Sequence, residues 1–215
     1  MFRHCYRAQY RDAKVLDTIE GLAPHLEALL KEDKLFSATA FEYDAGNLFF
    51  YWECPYTGDL GIEDVFPGLS PYLYPWPGEA EPVYYRPLLE CYHSYAPAPD
   101  EEPAWKRTSH AEPRGMMSVM VPEMMSSYIF WHYQSQEERP GDNGMDLTIW
   151  FDGNLAILYT EPPKRRIANP RPGLLSTNHT PDNWNDYIDL DFIPFPDGEL
   201  YHFARVILTR SHGDL

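Results

Sequence analysis

Four of the eight histidines fall in pairs whose spacing could serve proton transfer. His25 and His132 lie 107 positions apart, each on the helix expected after the first strand of its half of the chain. Histidine is the side chain whose ordinary pKa suits acid and base work near neutrality. The alternative for each is a hydrogen-bonded helix histidine with no chemistry. His93 and His212 lie 119 positions apart, and Arg86 and Arg205 precede them by the same seven residues. Residues seven apart on a regular strand point to opposite faces, so each Arg and His converge on one ligand only if a bulge intervenes. The arginines could hold an anionic ligand, or could pair with nearby Asp or Glu. Trp76 stands between two prolines, as does Phe195, and either forms a pocket wall or plugs a core. Trp131 and Tyr133 flank His132. Asp186, Asp189 and Asp191 are close enough to suggest calcium, but no glycine-containing loop accompanies them, and they read as solvated surface. Met116, Met117, Met120, Met124 and Met125 read as core filling.

These pairs reflect an internal repeat. Gly46-Asn47-Leu48 with Pro55 recurs as Gly153-Asn154-Leu155 with Pro162, and Tyr43-Asp44 answers Phe151-Asp152. Pro75-Trp76-Pro77, Arg86, Leu88-Leu89 and His93 recur as Pro194-Phe195-Pro196, Arg205, Ile207-Leu208 and His212 at the longer shift. The change of shift puts extra residues in the second half, in a loop that includes Lys164-Arg165-Arg166.

The elements repeat in the same order. Residues 2–10 alternate as a strand, and 13–34 carry leucines at helical spacing, interrupted at Gly21 and Pro24. Strands at 35–43 and 48–53 flank a Gly-Asn turn, 55–83 reads as irregular, and 84–92 as a strand. In the second half, 116–121 is a strand, Pro122 opens a helix, 145–151 and 155–160 form a hairpin, and 203–209 is the last strand. Each half has the ferredoxin-like order. The expected fold is α+β: two ferredoxin-like repeats, 1–94 and 116–215, joined by a Pro/acidic linker at 95–115. Burying both bare sheet faces against each other would give a pseudo-dimeric α/β barrel in one chain.

A net charge of −16 argues against nucleic acid and against an anionic membrane surface as partners. Cys5, Cys54 and Cys91 are widely spaced with no CxxC, so neither a disulfide framework nor a zinc site is expected. We expect no cofactor and no metal. There is no apolar signal-like segment and no long apolar run, which suggests a cytoplasmic protein.

The stretch Ala23-Pro24-His25-Leu26-Glu27-Ala28-Leu29-Leu30-Lys31, followed by Phe41 to Trp52 with Asp44 and Asn47-Leu48-Phe49, resembles the L-rhamnose mutarotases. The resemblance implies a dimeric α/β-barrel fold and interconversion of sugar anomers. On that reading a monosaccharide-like ligand meets His25, His132, His93 and His212 as acid–base groups. Arg86, Arg205, Trp76, Trp131 and Tyr133 would contact it. If one pocket survives the duplication, it lies beside His132 and Tyr133 with Trp131 as wall. A second reading is a non-catalytic barrel that mediates assembly or binds an unrelated small molecule. A third is a haem- or quinone-handling monooxygenase of similar fold. The chain would be a monomer with an internal pseudo-dimer, or a dimer of it.

Overall fold

Period-two and period-3.6 patterns alternate along this chain, and a computed structural model shows the elements they build. It describes residues 1–44, 46–95, 99–140, 147–162 and 172–215, without the side chains of 99, 102 and 103. The basic cluster Lys164-Arg165-Arg166 and the expected start of a strand at Met145 lie outside the described residues. In order the chain forms β1 (Phe2–Gln9), α1 (Lys14–Glu20), α2 (Ala23–Lys31), β2 (Ser37–Tyr43) and β3 (Asn47–Cys54). Then come α3 (Ile62–Val65), β4 (Arg86–Pro87), β5 (Leu89–His93) and a 3-10 segment at Pro99–Trp105. The second half gives β6 (Arg114–Met120), α4 (Met125–Glu138), β7 (Thr148–Asp152) and β8 (Leu155–Thr160). It ends with α5 (Trp184–Ile188), β9 (Phe192–Ile193), β10 (His202–Phe203) and β11 (Arg205–Ser211).

Two compact units result: residues Met1–Leu88, Pro97–Pro113 and Ala204–Leu215 in one, Leu89–Ala96 and Arg114–Phe203 in the other. The first unit holds an antiparallel sheet in the order β11-β2-β3-β1-β4. Four of its five strands, β4-β1-β3-β2, stand in the ferredoxin-like order. Asp12 Oδ1 accepts the Lys14 N–H at 3.0 Å and starts α1, and Pro24 sits in the first turn of α2, where its missing N–H costs nothing. Val15, Ile19, Leu26 and Leu30 of these helices are fully buried over Ala38, Ala40, Leu48, Phe50 and Trp52 of the sheet. Each such side chain contributes about 1.5–3 kcal/mol. The opposite sheet face is covered as well: Phe41, Phe49, Tyr51 and Glu53 are buried, and Phe41 stacks on Phe49 at 4.5 Å.

Glu53 on that face explains what the Pro-rich segment does. Its carboxylate accepts from the Tyr51 hydroxyl at 2.6 Å, from Trp105 Nε1 at 2.5 Å and from Arg107 at 2.5 Å. Trp105 and Arg107 are both buried. A stretch with linker composition is therefore anchored to the first unit by a desolvated ion pair and a buried indole.

The second unit repeats the plan, with sheet order β10-β6-β8-β7-β5 and β9 on the far end of β6. The hairpin β7–β8 turns at Gly153, whose φ of 61° favours glycine. The structure is α+β with two ferredoxin-like repeats, as the pattern of elements implies. What the pattern did not show is an exchange. β4 pairs with β1 of its own half, but two residues later β5 pairs with β7 of the other half. Symmetrically, β10 pairs with β6 while β11 pairs with β2. Both crossing strands carry a register shift, between Glu90 and Tyr92 and between Val206 and Leu208.

Candidate functional site

Tyr128 and His132 lie one turn apart on α4, so their side chains share a face. Both are buried in the second unit, within the cluster formed by Tyr92, Ile149, Phe151 and Phe192. Beside them opens a cavity of about 360 Å³. His132, Tyr128, Trp184 and Tyr201 supply its aromatic wall, Leu147 and Leu158 are among its aliphatic lining, and Asn185 and Asp189 are polar. That is the lower end of the range for small-molecule sites, with the usual apolar majority and few polar groups.

The state of His132 is set by its partners. Nδ1 lies 2.8 Å from the Tyr128 carbonyl oxygen, which can only accept, so Nδ1 carries the proton. Nε2 is then the basic nitrogen, and no described residue hydrogen-bonds to it. Burial lowers the pKa to about 4, against which the backbone hydrogen bond is the weaker influence. The imidazole is neutral at pH 7. Trp184 packs edge-on to it at 5.1 Å, and Tyr128 lies 4.4 Å away, ring to ring.

Two carboxylates complete the neighbourhood. Tyr201 donates its hydroxyl to Asp189 Oδ1 at 2.8 Å. Asp191 is buried, its Oδ2 has no partner among the described residues, and burial pushes its pKa up to about 6. Burial first, and the nearby Asp191 charge second, hold the Tyr128 hydroxyl well above the usual tyrosine range. The three aspartates expected to be solvated therefore split: Asp186 is exposed, whereas Asp191 is buried where the chain turns into β9. The apolar residues Ile188, Leu190 and Phe192 interleaved with them were the available signal.

The other sequence-selected residues stand elsewhere. His25, half-buried in the first unit, lies 2.8 Å from the Asp64 carbonyl and ties α2 to α3. His93 pairs through Nδ1 with Glu90 at 2.6 Å. His212 follows the last strand and meets Asp33 at 3.1 Å. It is not the counterpart of His93. Through the hairpin equivalence of Asn47 and Asn154, the position facing Thr148, held by His93, corresponds to the one facing Ala38, held by Arg210. Arg86 lies over the Trp76 ring at 4.3 Å, and Arg205 grips Glu42 at 2.5 Å and 3.1 Å. Trp131 contacts Phe130 and Tyr187, and Tyr133 meets the edge of Tyr92; neither lines the cavity. Of the four histidines, His132 lines this cavity.

No family model matches the chain, and no curated protein matches it. Solved structures of similar fold include a presumed monooxygenase from Fusobacterium nucleatum, 10% identical, with 98% of this chain and 94% of that chain covered and a TM-score of 0.47. Another presumed monooxygenase, from Lactobacillus acidophilus, is 6% identical, with coverage of 99% and 98% and a TM-score of 0.45. An anthrone oxidase-like protein is 9% identical, with coverage of 98% and 93% and a TM-score of 0.38. These findings overturn the mutarotase resemblance, and with it the carbohydrate ligand and the isomerase activity.

Proposed function

We propose that the second unit binds a small, planar, weakly acidic phenolic compound, and that His132 removes its proton as the first step of a monooxygenase-like oxidation by dioxygen. The observation that carries this reading is the neutral imidazole of His132, its Nδ1 held by the backbone and its Nε2 free beside an aromatic-walled cavity. A phenol or hydroquinone presents an O–H to Nε2 and a flat face to Trp184 and Tyr128. Once deprotonated it gives its electrons to dioxygen: one oxygen atom enters the ring, the other leaves as water, and a phenol ends as the quinone, so the substrate itself supplies every electron. Among the described residues the lining offers no fixed positive charge, and Asp189 disfavours an anionic ligand. The ligand therefore enters neutral and ionises only in place. His93, His212, His25, Arg86, Arg205, Trp76, Trp131 and Tyr133 have no part in this step.

No helix among the described residues is long and apolar enough to cross a membrane. Three free cysteines suit a reducing, cytoplasmic setting. The test is a titration with hydroxyanthrones and hydroquinones, followed by quenching of tryptophan fluorescence and by oxygen uptake. Wild type should bind and consume oxygen. His132→Phe should bind without consuming it. Oxygen uptake by His132→Phe at the wild-type rate, or no binding of any phenol, would end this reading.

A further inference from the structure

Away from the cavity, one cluster in the first unit has the chemistry of a metal centre. His4 Nε2, Cys54 Sγ and an Asp59 carboxylate oxygen all lie within 4.8 Å of one another. The strand register brings the first two together. Phe2 faces Cys54 and His4 faces Trp52, so His4 and Cys54 are diagonal neighbours on one face of the β1–β3 pair. Asp59 arrives by a short turn in which the Gly58 N–H donates to the Pro55 carbonyl at 3.2 Å. The turn is pinned where Trp52 Nε1 donates to the Leu60 carbonyl at 3.0 Å. The His4 ring stacks on the same Trp52 at 4.8 Å, which fixes its direction. One tryptophan therefore orients one donor and fastens the loop that carries another.

We propose that His4, Cys54 and Asp59 form a binding site for a divalent transition metal, with zinc as the fitting ion. Thiolate, imidazole and carboxylate are the donors zinc accepts, and three protein ligands leave a fourth position for water or a small ligand. Donor atoms around tetrahedral zinc stand about 3.3–3.8 Å apart, given its usual bond lengths. Here His4 Nε2 is 2.7 Å and Cys54 Sγ 3.9 Å from Asp59 Oδ1. Occupancy requires the His4–Asp59 hydrogen bond to open by less than about 1 Å, which the exposed Asp59 side chain allows, and the His4 Nε2–Cys54 Sγ separation, within 4.8 Å, to settle into the same range. Burial holds the Cys54 thiol at about 11, so metal binding must displace its proton. No CxxC spacing announces this site, because strand pairing rather than sequence proximity assembles it.

The experiment is cobalt(II) and zinc(II) titration of the full chain under reducing conditions. Cobalt should give the near-ultraviolet thiolate-to-metal band with tetrahedral visible bands at one equivalent, and zinc should bleach both. Asp59→Ala, an exposed change that leaves the core intact, should weaken zinc by at least about 10-fold, as losses at metal sites do. Cys54→Ser should abolish the thiolate band, and Cys91→Ser should keep it. Absence of the thiolate band in the wild type overturns the site. So does a band that survives Cys54→Ser, or zinc affinity unchanged in Asp59→Ala.

Discussion

His132 and Asp191 are buried in the same unit with pKa values displaced in opposite directions, and this yields a signature readable without any ligand. His132 titrates near 4 when folded and near its ordinary 6.5 when unfolded. Between those values the unfolded chain binds the extra proton, so this group makes stability rise with pH. The stabilisation is fully present above about 6.5 and lost as pH falls toward 4, and it amounts to about 3 kcal/mol. Asp191, pushed up to about 6 from its ordinary 3.8, does the reverse. Across nearly the same window the folded chain holds the extra proton, and stability falls as pH rises. The two slopes oppose each other, so their joint contribution in the wild type is nearly flat between pH 4 and 6. Each single substitution should unmask the other. Urea unfolding of His132→Asn between pH 4 and 7 should show stability declining with pH relative to wild type, and Asp191→Asn should show it rising. The difference between variants, taken at each pH, cancels the remaining titrating groups. If both variants keep the wild-type profile, neither group is desolvated as described, and the argument for a neutral His132 base fails with it.

Removing one partner of the buried Glu53–Arg107 pair should be costly: Arg107→Met should lose about 3–5 kcal/mol in denaturant melts, while Glu53→Gln with Arg107→Met should lose less than the two single costs combined. Gly153→Ala should cost about 1 kcal/mol by the same measurement, because the turn holds this residue at a φ of 61°. Trp184→Ala should weaken phenol binding in fluorescence titrations about tenfold and leave oxygen uptake by the bound fraction intact, as expected for a wall that stacks rather than reacts.

Much of the local architecture was legible because its causes are local. Leucine spacing in 13–34, the interruption at Gly21 and Pro24, and the Gly-Asn turns carried helix and hairpin positions with errors of a few residues. The crossing of β5 and β11 was not legible. An edge strand chooses its partner by long-range pairing, and its own alternation is the same whichever sheet it joins. For the same reason the 119-residue shift matched residue types without matching register, and paired His93 with His212 when the sheets align His93 with Arg210. His132 was visible as a candidate on the helix of the second half, but its partners were not. Asp191 was read as surface, and neither Tyr128 nor Tyr201 was singled out; the turns that fold Asp191 and Tyr201 toward α4 have no periodic signature. Trp105 and Arg107 were hidden by their surroundings, because proline and acidic residues outweigh a single aromatic–basic pair in any reading by composition.

The exchanged strands also bear on how such a chain can be cut, copied or evolved. Each sheet is completed by the last strand of the other sequence half, so no break point inside residues 95–113 yields two self-sufficient fragments. A fragment ending there would carry an orphan β5 and an open β2 edge, two adhesive surfaces that favour aggregation or reassembly with the missing piece. Split at that point and co-expressed, the halves should behave as an obligate complementation pair with fixed one-to-one stoichiometry. Tandem fusion makes that stoichiometry permanent. It lets one half lose its chemistry while remaining indispensable as the donor of a strand, and it gives selection a way to keep a single cavity on a scaffold built in duplicate.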